Sequence, residues 1–99
     1  MSYILEFDPV ALAEVECVVG DYEARVPGSG VRFRVAVEAV CSEIEQNPLR
    51  WRERAGGYRR VNLRDYPFYL PFVIRDEVIR IMAVAHASRN PDYWKHRWP

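Results

Sequence analysis

The sequence predicts an α+β domain with the element order β-α-α-β-β-β, in which a helical hairpin packs on one face of a small, mostly antiparallel sheet. Two observations predict this fold. Apolar residues recur at helical spacing in two adjoining segments, and at every second position in short segments before and after them. The chain has 99 residues, the size of one domain, so residues 1–99 are expected to form a single domain.

The first strand and the first helix are predicted at the start of the chain. Residues 2–7 form the strand, because their side chains alternate along the segment. Asp8 and Pro9 follow, as a helix N-cap and a proline suited to the first helical position. The helix then presents one apolar face at three- and four-residue spacing, made of Ala11, Val15, Val18 and Tyr22.

A second helix follows a Pro-Gly-Ser-Gly turn at residues 27–30. Asn47 and Pro48 end this helix. Two amphipathic helices with a short connection form an antiparallel hairpin. The apolar face of the second helix consists of Phe33, Val37, Val40 and Ile44.

Three further strands are predicted in the second half of the chain, after a loop at residues 48–57. They span residues 58–64, 68–75 and 78–85. Pro71 lies inside the second of them and has no backbone N–H to donate, so a bulge or an edge position is expected there. The sheet face away from the helices is expected to be open to solvent or to a partner.

The charge of the chain is zero overall but is unevenly distributed. Residues 1–47 hold nine acidic and three basic residues, a net charge of −6, and residues 48–99 hold five acidic and eleven basic residues, a net charge of +6. Such a chain can present a positive surface to an acidic partner or to nucleic acid despite its neutral total. The alternative is a solvated surface on which the charges pair with one another.

The composition excludes several classes of protein. The longest apolar run is too short to span a membrane, and the first residues do not form a signal peptide, so a cytoplasmic location is expected. Cys17 and Cys41 do not have the spacing of metal ligands, and no metal or other cofactor is expected. Both fall on the helical hairpin, where a buried pair of free thiols is favoured over a disulfide.

The last third of the chain carries the most informative motifs. An apolar strand ends at His86, Arg89 follows three residues later, and a turn then holds Tyr93 and Trp94. Upstream of them lie Arg59-Arg60 and Tyr66-Pro67-Phe68. The order and spacing of these motifs resemble the RelE/ParE superfamily, the small toxins of bacterial type II toxin–antitoxin pairs, and are most similar to its ParE-like branch.

The resemblance implies a toxin that is neutralised by a cognate antitoxin, a function linked to plasmid stabilisation and growth inhibition. ParE-like members bind and poison DNA gyrase, whereas RelE-like members cut mRNA in the ribosome without a metal. The neutral total charge and the ParE-like ending favour gyrase. The alternatives are a metal-free, ribosome-dependent mRNA endoribonuclease and a non-toxic binding module of the same fold, so whether the chain is an enzyme stays open.

The candidate functional residues follow from the chemistry of RNA cleavage and phosphate binding. If the chain is a nuclease, His86 is the expected acid or base, Arg60 and Arg89 hold the phosphate, and Tyr93 donates a proton or stacks on a base. Guanidinium groups bind phosphate oxygens in pairs. The arginines expected to bind a target or a phosphate are therefore Arg59, Arg60, Arg64 and Arg89.

Each candidate also has a purely structural interpretation. His86 is equally a half-buried side chain satisfied by the backbone, and Arg89 a partner of Asp92. Tyr93 and Trp94 are favoured as covers of the core rather than as stacking surfaces. Arg60, Arg64, His86 and Arg89 form one surface only if the strand register places them on the same side of the sheet. His96 and Arg97 lie beside the chain end, where little fixed structure is expected.

Overall fold

The structure is a computed structural model that describes residues 2–98, and it has the predicted α+β architecture. Two helices pack against a five-stranded sheet. The elements are β1 (Ile4–Phe7), α1 (Pro9–Arg25), α2 (Ser29–Gln46), β2 (Arg59–Asn62), β3 (Phe68–Arg75), β4 (Val78–Ile81) and β5 (Ala85–His86), with 3-10 turns at Pro48–Arg50 and Pro91–Tyr93. Among residues 2–98, helices long and apolar enough to cross a membrane are absent.

The sheet is mixed, with the strand order β1-β4-β3-β2 and with β5 paired to β3 beyond the end of β4. β1 runs parallel to β4, and Ile4 lies opposite Val78. The other pairs are antiparallel, as expected for strands joined by tight turns. Because β3 lies between β4 and β2, it is the central strand of the sheet, and β1 and β2 are its two edges.

The helical hairpin begins and turns as the sequence predicts. The carboxylate of Asp8 accepts a hydrogen bond from the Val10 N–H at 2.9 Å, and Pro9 occupies the first turn. Gly28 adopts the left-handed conformation at φ 89° and caps α2. A Cβ on Gly30 would lie 2.5 Å from the Val19 carbonyl oxygen, so only glycine permits this close approach of the two helices.

The main core lies between the helical hairpin and the sheet. The predicted faces of both helices point into it, since Ala11, Val15, Phe33, Val37 and Ile44 are buried. A second apolar cluster covers the opposite face of the sheet, around the fully buried Trp94. Its buried members are Tyr69, Met82, Ala83, Ala85 and Trp94. The expectation of an open face is therefore wrong over this part of the sheet, because the C-terminal segment folds back onto it.

The strand predicted at residues 78–85 is interrupted, and the interruption is a bulge opposite Pro71. Phe72 pairs with Ile81, and Tyr69 pairs with Ala85. The three-residue step on β3 thus faces a four-residue step in the neighbouring segment from β4 to β5, which holds one extra residue. The bulge predicted from Pro71 is present in the strand beside it, whereas an edge position is wrong because β3 is central.

The two cysteines do not form the buried pair that was expected. Cys41 is half-buried, but Cys17 is exposed on α1, and both are free thiols. The expectation is wrong for Cys17 because its side chain points away from the face that packs on the sheet. Burial and the carboxylates of Glu38 and Glu45 raise the pKa of Cys41 to about 12, so this thiol stays protonated at neutral pH.

Candidate functional site

His86 lies at the end of β5 with an exposed side chain. Its ring lies nearly perpendicular to the Phe68 ring, with the ring centroids 5.2 Å apart. The backbone N–H of Ser88 lies 3.1 Å from His86 Nδ1, and the Ser88 hydroxyl lies 2.8 Å from the same nitrogen. Because the backbone N–H can only donate, Nδ1 accepts, and the neutral ring carries its proton on Nε2. His86 is thus oriented by the turn that follows it.

Arg89 and Tyr93 are stacked beside His86. The Arg89 guanidinium carbon lies 3.6 Å from the centre of the Tyr93 ring, a close cation–π contact. Asp92, the predicted alternative partner of Arg89, instead lies 3.6 Å from the Lys95 amine. Burial and the nearby Glu14 carboxylate raise the pKa of Tyr93, an effect that Arg89 and Arg97 oppose. Tyr93 is therefore a neutral phenol near pH 7.

A groove runs along α1 past His86, and we call it the His86 groove. It consists of two adjoining depressions of about 270 Å³ each. Arg25 lies at one end, and Arg89 and Tyr93 lie at the other, with Asp21 between them. The groove therefore carries both signs of charge around an aromatic and apolar floor. Its lining residues common to both halves are Val18, Asp21, Phe68 and His86.

Arg60 lies on the other face of the sheet. Its guanidinium carbon is 3.7 Å from the centre of the Tyr69 ring, and its Nη2 donates to Asn62 Oδ1 at 2.9 Å. Tyr69 belongs to the cluster around Trp94. The Nε of Arg60 is buried without a hydrogen-bond partner among the described residues. The Tyr69 contact and the bond to Asn62 thus hold this guanidinium on the face of the sheet away from the helices.

The strand register explains why His86 and Arg60 do not meet. Phe68 pairs with His86, and Tyr69 pairs with Ala85. Neighbouring residues of a strand point to opposite faces, so Phe68 and His86 lie on the helix side, and Tyr69 lies on the other. Arg60 stacks on Tyr69 and shares its face. The structure therefore does not bring His86 and Arg60 together.

The remaining candidate arginines are separated as well. Arg59 is half-buried, and its Nε donates to the Trp51 carbonyl oxygen at 2.7 Å. Arg64 lies in the turn after β2, beside α2, because the strand ends at Asn62 and the alternation does not extend further. Only Arg89 remains near His86, as its backbone N–H donates to the His86 carbonyl oxygen at 3.1 Å. The roles of all four arginines in binding stay predictions.

Glu14 and Arg97 form a buried network that sequence reasoning missed. The two Nη atoms of Arg97 each lie 3.1 Å from an oxygen of the Glu14 carboxylate. Arg97 also donates to the Met82 carbonyl oxygen at 3.0 Å, and Glu14 accepts from the Val84 N–H at 3.1 Å. The pair therefore holds both sides of the bulge and joins α1 to the C-terminal segment.

The structure corrects the expectation of little fixed structure at Arg97, because its side chain is only 11% exposed. A sequence signal for Glu14 was present. It lies three residues after Ala11 and four before Val18, on the apolar face of α1, where an unpaired carboxylate is unfavourable. No comparable signal marks Arg97. Among residues 2–98, no group of three or more His, Cys, Asp or Glu side chains is placed to hold a metal ion.

Comparison with known proteins gives matches of family and of fold. The family model described as "ParE toxin of type II toxin-antitoxin system, parDE" matches residues 5–91. The Toxin ParE2 sequences of two strains of Mycobacterium tuberculosis, CDC 1551 / Oshkosh and ATCC 25618 / H37Rv, are each 33% identical over 60 residues, which is 61% of this chain. The match spans 57% of the length of these relatives.

A solved structure described as "Chromosomal ParDE TA system from P. aeruginosa" has a similar fold, with a TM-score of 0.77 and 18% sequence identity. The likeness covers 86% of this chain and 96% of that one. The family match begins within β1 and ends at Pro91, and thus includes the helical hairpin, the sheet and the lining of the His86 groove except Tyr93. The chain therefore belongs to the ParE toxin family of type II toxin–antitoxin systems.

Proposed function

We propose that this chain is the growth-inhibiting toxin of a type II pair, is neutralised by a cognate antitoxin, and acts by binding DNA gyrase in the cytoplasm. The observation that carries the choice of gyrase is the placement of His86 and Arg60 on opposite faces of the sheet. Cleavage of RNA needs a proton-transfer group and cations around one phosphate. With its cations dispersed, the chain is better suited to binding than to phosphodiester cleavage.

The chemistry of the His86 groove supports the same choice. Arg89 is engaged with the Tyr93 ring, and Asp21 adds a negative charge beside His86. A raised pKa also keeps the Tyr93 phenol from ionising. A groove with both signs of charge and an apolar floor suits a protein surface better than a polyanion. We place the gyrase contact at this groove, with Arg89 as its cationic residue.

Two assays with the purified chain test the proposal. Gyrase supercoiling should be inhibited in proportion to the concentration of the chain, and ribosome-bound mRNA should stay intact.

Induction of the chain alone should arrest bacterial growth, and co-expression of the neighbouring antitoxin gene should relieve the arrest. Ribosome-dependent mRNA cuts with unaffected supercoiling would instead support the endoribonuclease. A stable antitoxin complex without growth arrest at any expression level would support a non-toxic binding module.

A further inference from the structure

The outer edge of β1 presents backbone groups without a partner strand. The Ile4 N–H donates to the Glu77 carbonyl at 2.8 Å, and the Asp8 N–H donates to the Ile81 carbonyl at 2.9 Å. In a parallel pair, alternate residues of a strand bond to the same neighbour, so Leu5 and Phe7 direct their N–H and C=O groups away from β4. Within residues 2–98, β4 is the one strand that pairs with β1.

A groove of about 270 Å³ lies beside this edge, between β1 and α2, and we call it the β1 groove. Its floor is apolar, and its rim carries two exposed carboxylates without a basic residue in the lining. The floor consists of Leu5, Phe7, Val37 and Cys41, and the rim consists of Glu38, Ser42 and Glu45. On the opposite face of the same strand, the side chain of Ile4 is 64% exposed.

The negative charge of the rim extends to the floor of the groove. The carboxylates of Glu38 and Glu45 both contribute to the raised pKa of Cys41, after burial, which is the largest cause. A ligand that fills the groove therefore meets apolar side chains below it and negative charge beside it. Positively charged side chains at the edges of the ligand would complement this arrangement.

We propose that the β1 edge accepts an added strand from a protein partner, an extended segment in which apolar residues alternate with lysine or arginine. Its backbone would pair with Leu5 and Phe7, its apolar side chains would enter the β1 groove, and its cations would contact Glu38 and Glu45. Main-chain pairing supplies affinity, and the groove supplies the preference for a basic segment. We take this partner to be the antitoxin, so the inference rests on the proposed function.

A second copy of the chain fits this edge poorly. Antiparallel pairing of two β1 edges about a two-fold axis would place both acidic rims on the same face, side by side. Like charges brought together across a strand pair are destabilising. The same charges that attract a basic segment thus oppose self-association, a common use of charge at exposed sheet edges.

The β2 edge provides a matched internal control. The Leu63 N–H donates to the Phe68 carbonyl at 2.9 Å, so by alternation Arg60 and Asn62 direct their backbone groups away from β3. Glu43 provides the matched charge, since it lies on α2 like Glu38 and Glu45 but lines the groove beside β2. Effects confined to the β1 edge can therefore be separated from effects on any free edge.

The test is amide hydrogen exchange by NMR with two probes. The first is a capped peptide of alternating lysine and valine, compared with one of alternating glutamate and valine. The second is the complex obtained by co-expressing the chain with its neighbouring antitoxin gene. We expect the Leu5 and Phe7 amides to exchange about tenfold more slowly with either the lysine peptide or the antitoxin, a factor that corresponds to about 1.4 kcal/mol. The Arg60 and Asn62 amides should not change.

The E38K/E45K double variant should lose the protection by the lysine peptide, whereas E43K should keep it. Equal protection by the glutamate peptide would overturn the charge preference. An antitoxin complex that leaves Leu5 and Phe7 unprotected would overturn the inference, as would protection that appears when the chain alone is concentrated. Protection by the lysine peptide without any antitoxin complex would support the β1 site and count against the proposed function instead.

Discussion

Arg97 provides the hydrogen bond that Pro71 cannot make. The Met82 N–H donates to the Pro71 carbonyl oxygen at 2.9 Å, and in a regular antiparallel pair the residue at position 71 would donate in return to the Met82 carbonyl. Proline has no N–H, and the Arg97 guanidinium donates to that carbonyl instead, at 3.0 Å. A side chain from the end of the chain thus completes the ladder of the central strand.

Arg97→Ala should destabilise the chain strongly. It would leave the Glu14 carboxylate half-buried without its ion partner and the Met82 carbonyl without its guanidinium donor, so we expect the free energy of unfolding to fall by about 3 kcal/mol. Urea denaturation measures the change. The control is Arg34→Ala, which removes the exposed ion pair with Glu16 and should cost about 0–1 kcal/mol. Equal effects of the two substitutions would contradict the role of Arg97.

A backbone donor at position 71 should reduce the dependence on Arg97. In a Pro71→Val background, the restored N–H can donate to the Met82 carbonyl, so Arg97→Ala should cost less there than in the parent chain. A double-mutant cycle should give a coupling free energy of about 0.5–2 kcal/mol. Strict additivity of the two substitutions would mean that Arg97 acts through Glu14 alone.

Trp94→Ala should impair folding before it impairs target binding. Trp94 is 1% exposed, packs edge-to-face with the Tyr58 ring at 4.9 Å between centroids, and donates from Nε1 to the Tyr69 hydroxyl at 3.2 Å. Removing so large a buried ring costs about 3–5 kcal/mol. Thermal denaturation should show a lowered Tm, whereas any protein that remains folded should still inhibit gyrase. A folded variant with full stability and no inhibition would reassign Trp94 to the binding surface.

Arg60 should act independently of the His86 groove in any effect on the inhibition of gyrase. His86→Ala and Arg89→Ala alter one groove, so their effects on the concentration for half-inhibition of supercoiling should be non-additive. Arg60→Ala, on the opposite face, should add to either of them within about 0.5 kcal/mol. Strong coupling between Arg60 and His86 would contradict the separation of the faces and would support a single site that contains both residues.

The free energy of unfolding should fall as the pH rises above 9.0, the ordinary pKa of a thiol, because of Cys41. Its pKa is raised in the folded state, from 9.0 to about 12, so folding favours the protonated thiol. The stabilisation is complete below pH 9 and is lost between about pH 9 and pH 12, at no more than about 1.4 kcal/mol per pH unit. Cys41→Ala should flatten this slope in urea denaturation series. The same substitution at the exposed Cys17 should leave it unchanged.

Local patterns in the sequence determined the elements of this protein. The apolar spacing placed both helices and their buried faces, and Asp8-Pro9 and Asn47-Pro48 marked the helix ends. The order of motifs ending in His86, Arg89, Tyr93 and Trp94 was enough to predict the family, since each motif is local to a few residues. Pro71 predicted a bulge or an edge position, because the loss of an N–H in a strand is a local property of the sequence.

The tertiary structure decided which of those residues meet. A shift of one residue in strand register moves a side chain to the other face of a sheet, and nothing in the alternation of β2 or β5 specifies their register. The sequence therefore could not place His86 and Arg60 on opposite faces. Likewise, Glu14 and Arg97 are 83 residues apart, and their contact exists only because the chain end packs on the bulge that Pro71 requires. Such long-range contacts depend on the packing of whole elements, which short sequence periods do not encode.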